Sequence, residues 1–286
     1  MKNKKQKFPP GLAFLYIFTA VFIIAPLAYA VILSFLKQGR GVGVEYTFTL
    51  DNYKNILNPI YLRTFAESAK LSAVTTVLCA VIGYPAGLFI AGMKGKLSKF
   101  FITGQMIPFW VNSLIRLYGW IIIFRADGLL DKLLMFLGIT NEPLMLLYSY
   151  PAVVVGMVYV LLPFMIFSVY SVAAELDETA AEAARDLGAT KRKVFLTITL
   201  PLTSRGLMTG VTLTLIPSMG LFFIASILGG NKVVLVGNLI QEQLMTAHNL
   251  PFAATLSVVL MILTGIVLGI TRLAGRHRTS GKNKLS

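Results

Sequence analysis

Few residues of this chain are equipped for chemistry, and their spacing narrows what that chemistry could be. There is one cysteine, Cys79, and there are two histidines, His248 and His277. A lone thiol inside an apolar run makes no internal disulfide and no cysteine-based metal cluster. The histidines lie too far apart in sequence to read as a ligand pair. An enzyme working inside a membrane needs a nucleophile beside a base, or a metal set, and the apolar runs hold neither histidines nor paired carboxylates. A phosphate loop is missing too: Gly95-Lys96-Leu97-Ser98 lacks the Ser or Thr after lysine and the upstream glycine spacing. What stands out instead is the stretch EAARDLGATKRKVFLTITLP, residues 182–201, charged and helix-prone in a chain otherwise made of long apolar runs.

The elements that must position this stretch follow from composition. Hydrophobic residues make up 56% of the 286 and charged residues only 13%, and mean hydropathy is +0.75, which places the chain among membrane proteins. Its net charge of +14 would fit nucleic acid only if the basic residues gathered on one polar face, and they are scattered between apolar runs. A bilayer core needs about 20 apolar residues per helix. Six runs qualify, near residues 11–36, 65–91, 101–124, 151–174, 206–228 and 251–273. The expectation is an all-α polytopic membrane protein with both termini on one side. Of the 26 basic residues, seventeen fall on the side of the termini, seven on the other side, and Lys70 and Arg116 within spans. The richer side is expected to be cytoplasmic.

That gives an N-terminal tail over 1–10, a membrane domain over 11–273 with a cytoplasmic loop at 175–205, and a C-terminal tail over 274–286. Ala28-Tyr29-Ala30 looks like a signal-peptide cleavage site, but the apolar run continues to Leu36, longer than a normal signal h-region, so the span is expected to be retained. Pro26, Pro85, Pro108, Pro163 and Pro217 each remove one backbone hydrogen bond within a span and are expected to bend it. Gly83 and Gly87 have the small-xxx-small spacing that lets helices approach closely.

The charged stretch reads as a helical hairpin. Asp177 is placed to cap a helix beginning at Glu178, and Glu178 and Glu182 favour the positive end of its dipole. Gly188 tolerates the left-handed backbone of a helix C-terminus. Thr190 is placed to cap a second helix, expected to end near Pro201. Leu176, Ala180, Ala183, Ala184 and Leu187 form a narrow apolar stripe, with Glu182, Arg185 and Asp186 opposite. A helix resting on lipid headgroups would carry bulky apolar residues beside Lys or Arg, whereas this one carries alanines and five acids against one arginine. Such a ridge fits a groove on a partner.

Glu182-Ala183-Ala184, Gly188, Ile198, Leu200 and Pro201 match E-A-A-x3-G-x9-I-x-L-P, and the chain thereby resembles the EAA-motif permeases of ABC importers. The resemblance implies the type I importer fold and makes this hairpin, with Leu187 at its tip, the coupling helix that docks into a separate cytoplasmic ATPase. ATP and Mg would then be bound by that partner, with no cofactor in this chain. Residues 106–119, 159–165 and 217–222, with the early FTLDNY at 48–53, resemble the permeases of spermidine/putrescine importers. The resemblance implies a heterodimer with a sister permease, a pair of identical ATPases, an external polyamine-binding protein and a location in the bacterial cytoplasmic membrane.

A polyamine cargo carries about three positive charges near neutral pH, its amines titrating like lysine near 10.4, and needs carboxylates, carbonyls or aromatic faces. The one acid within a span is Glu67, three residues from Lys70 on the same helical face: a local ion pair, with cargo contact as the alternative. Arg116 has the wrong sign to line a cation path, and is expected to turn inward and bond carbonyls, or Glu67, as a structural clamp. The remaining candidates are Trp110, Asn112, Tyr118 and Tyr159. Trp110 lies too deep for the aromatic belt in which Trp120, and alternatively Tyr118, would sit. With so few buried acids here, the sister permease or the binding protein is expected to supply the carboxylates. Residues 128–138 and 238–245 are expected to form short amphipathic helices outside the membrane, docking the binding protein or resting on the interface.

A secondary transporter would also show bent helices, but it usually needs ionisable groups in its spans, and it would leave the hairpin unexplained. A permease for another small cationic or organic solute, or a purely structural assembly subunit, remain as alternatives.

Overall fold

A computed structural model describes residues 10–280 apart from 40, 42, 94, 177 and 178. The chain begins with α1 (Pro10–Thr19), a π-helical turn (Ala20–Ile24) and α2 (Ala25–Ser34), followed by an antiparallel hairpin of β1 (Leu36–Gln38) and β2 (Val44–Phe48), the short α3 (Asp51–Ile56) and the long α4 (Pro59–Ala91). Next come α5 (Lys96–Gly104), a 3-10 turn (Ile107–Trp110), α6 (Ser113–Phe124), α7 (Leu129–Phe136) and α8 (Tyr150–Ala173). The remainder comprises α9 (Thr179–Asp186), α10 (Lys191–Val194), a second π turn (Phe195–Thr199), α11 (Leu200–Gly220), α12 (Phe222–Gly229), α13 (Val236–Met245) and α14 (Leu250–Ser280). Among the described residues, five helices are long and apolar enough to cross a membrane, and six spans result if the pair Lys96–Trp110 and Ser113–Phe136, bent by 94°, counts as one.

Contacts divide the chain into two compact units: residues 1–62 with 239–262, and residues 63–238 with 263–286. In the first, the C-terminal end of α2 is closed by side chains. The Ser34 carbonyl accepts from Asn52 Nδ2 and Thr255 Oγ1, both at 3.1 Å, and Asn52 Nδ2 also donates to the Leu36 carbonyl at 2.8 Å. Carbonyls at a helix end have no partner within the helix and are costly to bury bare, so Asn52 does structural work here. Tyr53 hydrogen-bonds the Ser34 hydroxyl at 2.7 Å, and the ring of Tyr61 meets Phe252 edge-on at 5.1 Å.

In the second unit, α8 is the element on which the others pack. Gly83 and Gly87 of α4 sit where a Cβ would come within 2.7 Å of Met165 Cγ and 2.9 Å of the Ile166 carbonyl oxygen. On α11, a Cβ at Gly206 would lie 2.7 Å from the Ser168 carbonyl oxygen. Helix backbones approach this closely only where side chains are absent, the means by which helices associate in lipid, where hydrophobic burial gives no drive. Tyr84 of α4 and Thr203 of α11 share a buried hydrogen bond of 2.7 Å. The core on the other face of α8 joins Leu117 and Phe124 of α6 to Val153 and Met157 of α8 and to Ile224 and Leu228 of α12.

Three expectations from the sequence change. The third span is not one straight helix over 101–124: it breaks at Val111, which is extended, between the 3-10 turn and α6. Pro108 cannot donate to a continuing helix, and Asn112 starts a new one, its Oδ1 accepting from Leu114 N at 2.8 Å, as an N-cap does. The fifth span does not run over 206–228 either. It ends at Gly220, Leu221 leaves helical geometry (φ −79°, ψ 51°), and α12 follows separately. Finally, the second arm of the hairpin does not stop near Pro201. Helix continues from Lys191 to Gly220, because the five-residue π turn before α11 opens the ladder where proline has no N–H to give. Pro85, Pro163 and Pro217 lie inside continuous helices, so only some of the five prolines mark breaks.

Candidate functional site

Two places in the second unit concentrate the residues singled out by sequence. The first is the hairpin. Asp177 and Glu178, expected as its cap and first residue, lie outside the described residues, and α9 is described from Thr179. Its end is as expected: Gly188 has φ +81°, its N–H bonds the Arg185 carbonyl at 2.9 Å, and Ala189 N bonds the Ala184 carbonyl at 3.0 Å. This pair of bonds is the Schellman closure, and glycine takes its left-handed residue without strain. Thr190 Oγ1 accepts from Lys193 N at 3.4 Å to start the second arm.

Orientation of α9 decides what it can touch. Ala181 and Arg185 turn toward the ends of α4 and α8, lining a cavity of about 190 Å³ with Gly92, Ala173, Ile198 and Leu202. Arg185 lines it from an otherwise exposed position, whereas Ala181 and Ala184 are the half-buried residues of the helix. Ala180, Glu182 and Ala183 are exposed, and Leu187 at the tip is 90% exposed. Leu200 is half-buried and Pro201 exposed.

The second place is the break in the third span. Phe109, Trp110, Asn112 and Arg116 line a cavity of about 800 Å³ whose far wall is Phe164 of α8, Leu213 and Pro217 of α11, and Phe223 of α12. Trp110 is 85% exposed. Arg116 Cζ stands 5.2 Å from the ring centre of Phe109 and 5.6 Å from that of Tyr159, and its buried Nε has no hydrogen-bond partner. The expected clamp onto carbonyls or Glu67 is not what holds it; ring faces are. Tyr159 in turn meets Trp120 at 5.5 Å, which gives Trp120 a packing partner.

The structure thus brings Trp110, Asn112, Arg116 and Tyr159 together. It leaves out Tyr118, exposed on α6, and Glu67. Glu67 lies 3.8 Å from Lys70 and lines a different cavity, of about 550 Å³, with Arg63, Lys232, Tyr148 and Tyr150. Two cations, Arg63 and Lys232, against one acid that Lys70 already pairs make that cavity unfavourable for a polycation.

Sequence reasoning missed Phe109, Phe164, Leu213, Pro217 and Phe223 as cavity walls; the break at Pro108 and Asn112 was the available signal. It also missed Asp131, which is buried and accepts from Asp127 N at 3.1 Å and Leu144 N at 3.2 Å, tying the loops around α7 together. The short helices expected at 128–138 and 238–245 are present as α7 and α13.

A bent-span bundle with a closed polar hairpin between its fourth and fifth spans defines the class: an integral-membrane importer subunit. Residues 81–277 match the family described as binding-protein-dependent transport system inner membrane component, and the chain belongs to that family. It is 38% identical over 256 residues to the spermidine/putrescine transport system permease protein PotB of Salmonella typhimurium, covering 90% of this chain and 89% of that one. The Escherichia coli PotB is 38% identical over 248 residues, covering 87% and 90%, and the E. coli inner membrane ABC transporter permease protein YdcU is 26% identical over 287 residues, covering 93% and 91%. Among solved structures, a bacterial ABC transporter that imports alginate superposes with a TM-score of 0.71 at 15% identity, over 94% of both chains. The MetNI methionine ABC transporter in an inward-facing form gives 0.57 at 19% identity, over 76% of this chain and 95% of that one. The fold is that of type I ABC-importer permeases, and the chain is a multi-pass inner-membrane transport subunit, not an enzyme.

Proposed function

We propose that this chain is the PotB-type permease of an ATP-driven polyamine importer, translocating spermidine or putrescine handed over by an external binding protein. Its partners would be a homodimeric PotA-type ATPase, which binds ATP and Mg, a PotC-type sister permease and a PotD-type binding protein. Both termini and the hairpin would face the cytoplasm, as the distribution of Lys and Arg favours.

The observation that carries this reading is the exposed ridge of Ala180, Ala183 and Leu187 on a hairpin whose second arm continues without interruption into α11. A push on the tip is transmitted along a helix about 45 Å long, 30 residues at 1.5 Å each. At its far end Leu213 and Pro217 form a wall of the Trp110 cavity. Aromatic faces there suit weak, transient contact with ammonium groups, about 2 kcal/mol per good desolvated geometry, which eases passage without trapping cargo. The carboxylates would come from the sister permease or the binding protein.

The test is ATP hydrolysis by the reconstituted complex. Spermidine-loaded binding protein accelerates hydrolysis in the wild type, and Glu182→Lys abolishes that acceleration or the assembly of the ATPase. Unchanged stimulation and uptake in Glu182→Lys would refute the coupling role, and stimulation by some other liganded binding protein but not by a polyamine-loaded one would refute the cargo.

A further inference from the structure

The cavity beside Trp110 already contains a cation, and it is the chain's own. Arg116 lines it with its Cζ 5.2 Å from the ring centre of Phe109 and 5.6 Å from that of Tyr159. Both rings are themselves fixed: Phe109 meets Phe164 edge-on at 5.2 Å, and Tyr159 meets Trp120 at 5.5 Å. Among the described residues no carboxylate pairs with Arg116, and Glu67 is matched with Lys70. Two preset π faces are what a cargo ammonium would seek, and a guanidinium tethered beside them takes the place first.

We propose that Arg116 is a tethered cation that fills the aromatic cation site of this pathway, and that its charge bars cations from crossing the permease unless the transport cycle draws it away. The inference rests on the polyamine reading above and adds a sealing function to it. The physical need is plain. An inside-negative membrane potential pulls every ammonium inward, the more strongly the more charges it carries, so a neutral aromatic channel would conduct amines without ATP. A fixed positive charge on a pathway excludes cations, and the lining of this cavity, which includes Phe164, Leu213, Pro217 and Phe223, holds no acidic side chain to offset its repulsion.

The experiment uses the whole complex in proteoliposomes without ATP, under an imposed inside-negative diffusion potential, with labelled putrescine and labelled methylammonium outside. Wild type, Arg116→Lys, Arg116→Met and Arg116→Gln are compared, each checked for co-purification of the ATPase. The neutral variants admit both amines roughly tenfold faster than wild type or more, while Arg116→Lys stays tight. Methionine tests removal of charge at similar bulk, and glutamine does so with hydrogen bonding retained, so failure of either variant to assemble leaves the other decisive. Equal tightness in all assembled variants overturns the proposal, as does a leak in Arg116→Lys matching that of the neutral variants. If the wild type with ATP imports no polyamine, the cargo reading falls, whereas the methylammonium leak still decides whether Arg116 is a barrier.

Discussion

The hairpin and the broken third span are both short interruptions in apolar helix, yet they are made differently. Everything that shapes the tip of the hairpin lies within a few residues along the chain: Gly188 closes α9 through carbonyls of Ala184 and Arg185, and Thr190 opens the next arm. The third span breaks for a local reason too, Pro108 followed by the cap of Asn112. Its consequence, a cavity, exists only because Phe164, Leu213 and Phe223 arrive from three other helices. An exposed, closed tip can thus be written into a dozen consecutive residues, whereas a cavity is a property of packing, and substitutions should separate the two.

The largest effect is expected at the contact between α8 and α11 on which both regions rest. Gly206→Val would drive a side chain toward the Ser168 carbonyl oxygen, where a Cβ already comes within 2.7 Å. Backbone cannot rotate away, and overpacking of this kind costs about 1–3 kcal/mol or more; the yield of folded protein and its melting temperature should both drop. Leu187→Asp is the opposite case. The side chain is 90% exposed, so stability should change by less than about 0.5 kcal/mol, while binding-protein-stimulated ATP hydrolysis falls at least roughly tenfold, the loss of about 1.4 kcal/mol of docking. A variant that unfolded the chain instead would show that the tip is part of its core.

Smaller still is Asn112→Ala, which removes one cap at the break and should cost about 1 kcal/mol, read as a lower melting temperature with Asn112→Asp restoring most of it. The smallest belongs to Lys70→Ala. The Glu67–Lys70 pair is long at 3.8 Å and both side chains are substantially exposed; such pairs contribute about 0–1 kcal/mol, and uptake should be nearly unchanged. A large loss of uptake would return Glu67 to the cargo pathway.

How far the sequence could be read follows the same division. The hairpin's glycine turn and threonine cap were legible because their hydrogen bonds are local, and the two short amphipathic helices were legible from periodicity. The extension of the second arm past Pro201 was not, since proline ordinarily argues for a stop and the π turn that accommodates it has no marker in residue type. Which positions of α9 are half-buried could not be read locally either: Ala181 shares a cavity with Gly92 and Ala173, partners distant in sequence. Arg116 was noticed as an odd charge, but its π-face environment depends on Phe109 and Tyr159 being brought together. Asp131, buried under loop amides, looked like any exposed acid in an amphipathic helix.

The most direct test of the central claim, that the exposed face of α9 carries force from a nucleotide-hydrolysing partner, is site-directed cross-linking. Cys79 is the sole native cysteine, so Cys79→Ser with Ala183→Cys leaves one thiol, on that face. In intact cells this thiol should resist membrane-impermeant maleimide, and in the assembled complex it should cross-link to the ATPase in a manner changed by ATP. Labelling from outside, or an assembled and active complex in which the thiol reaches no ATPase residue, would contradict the account.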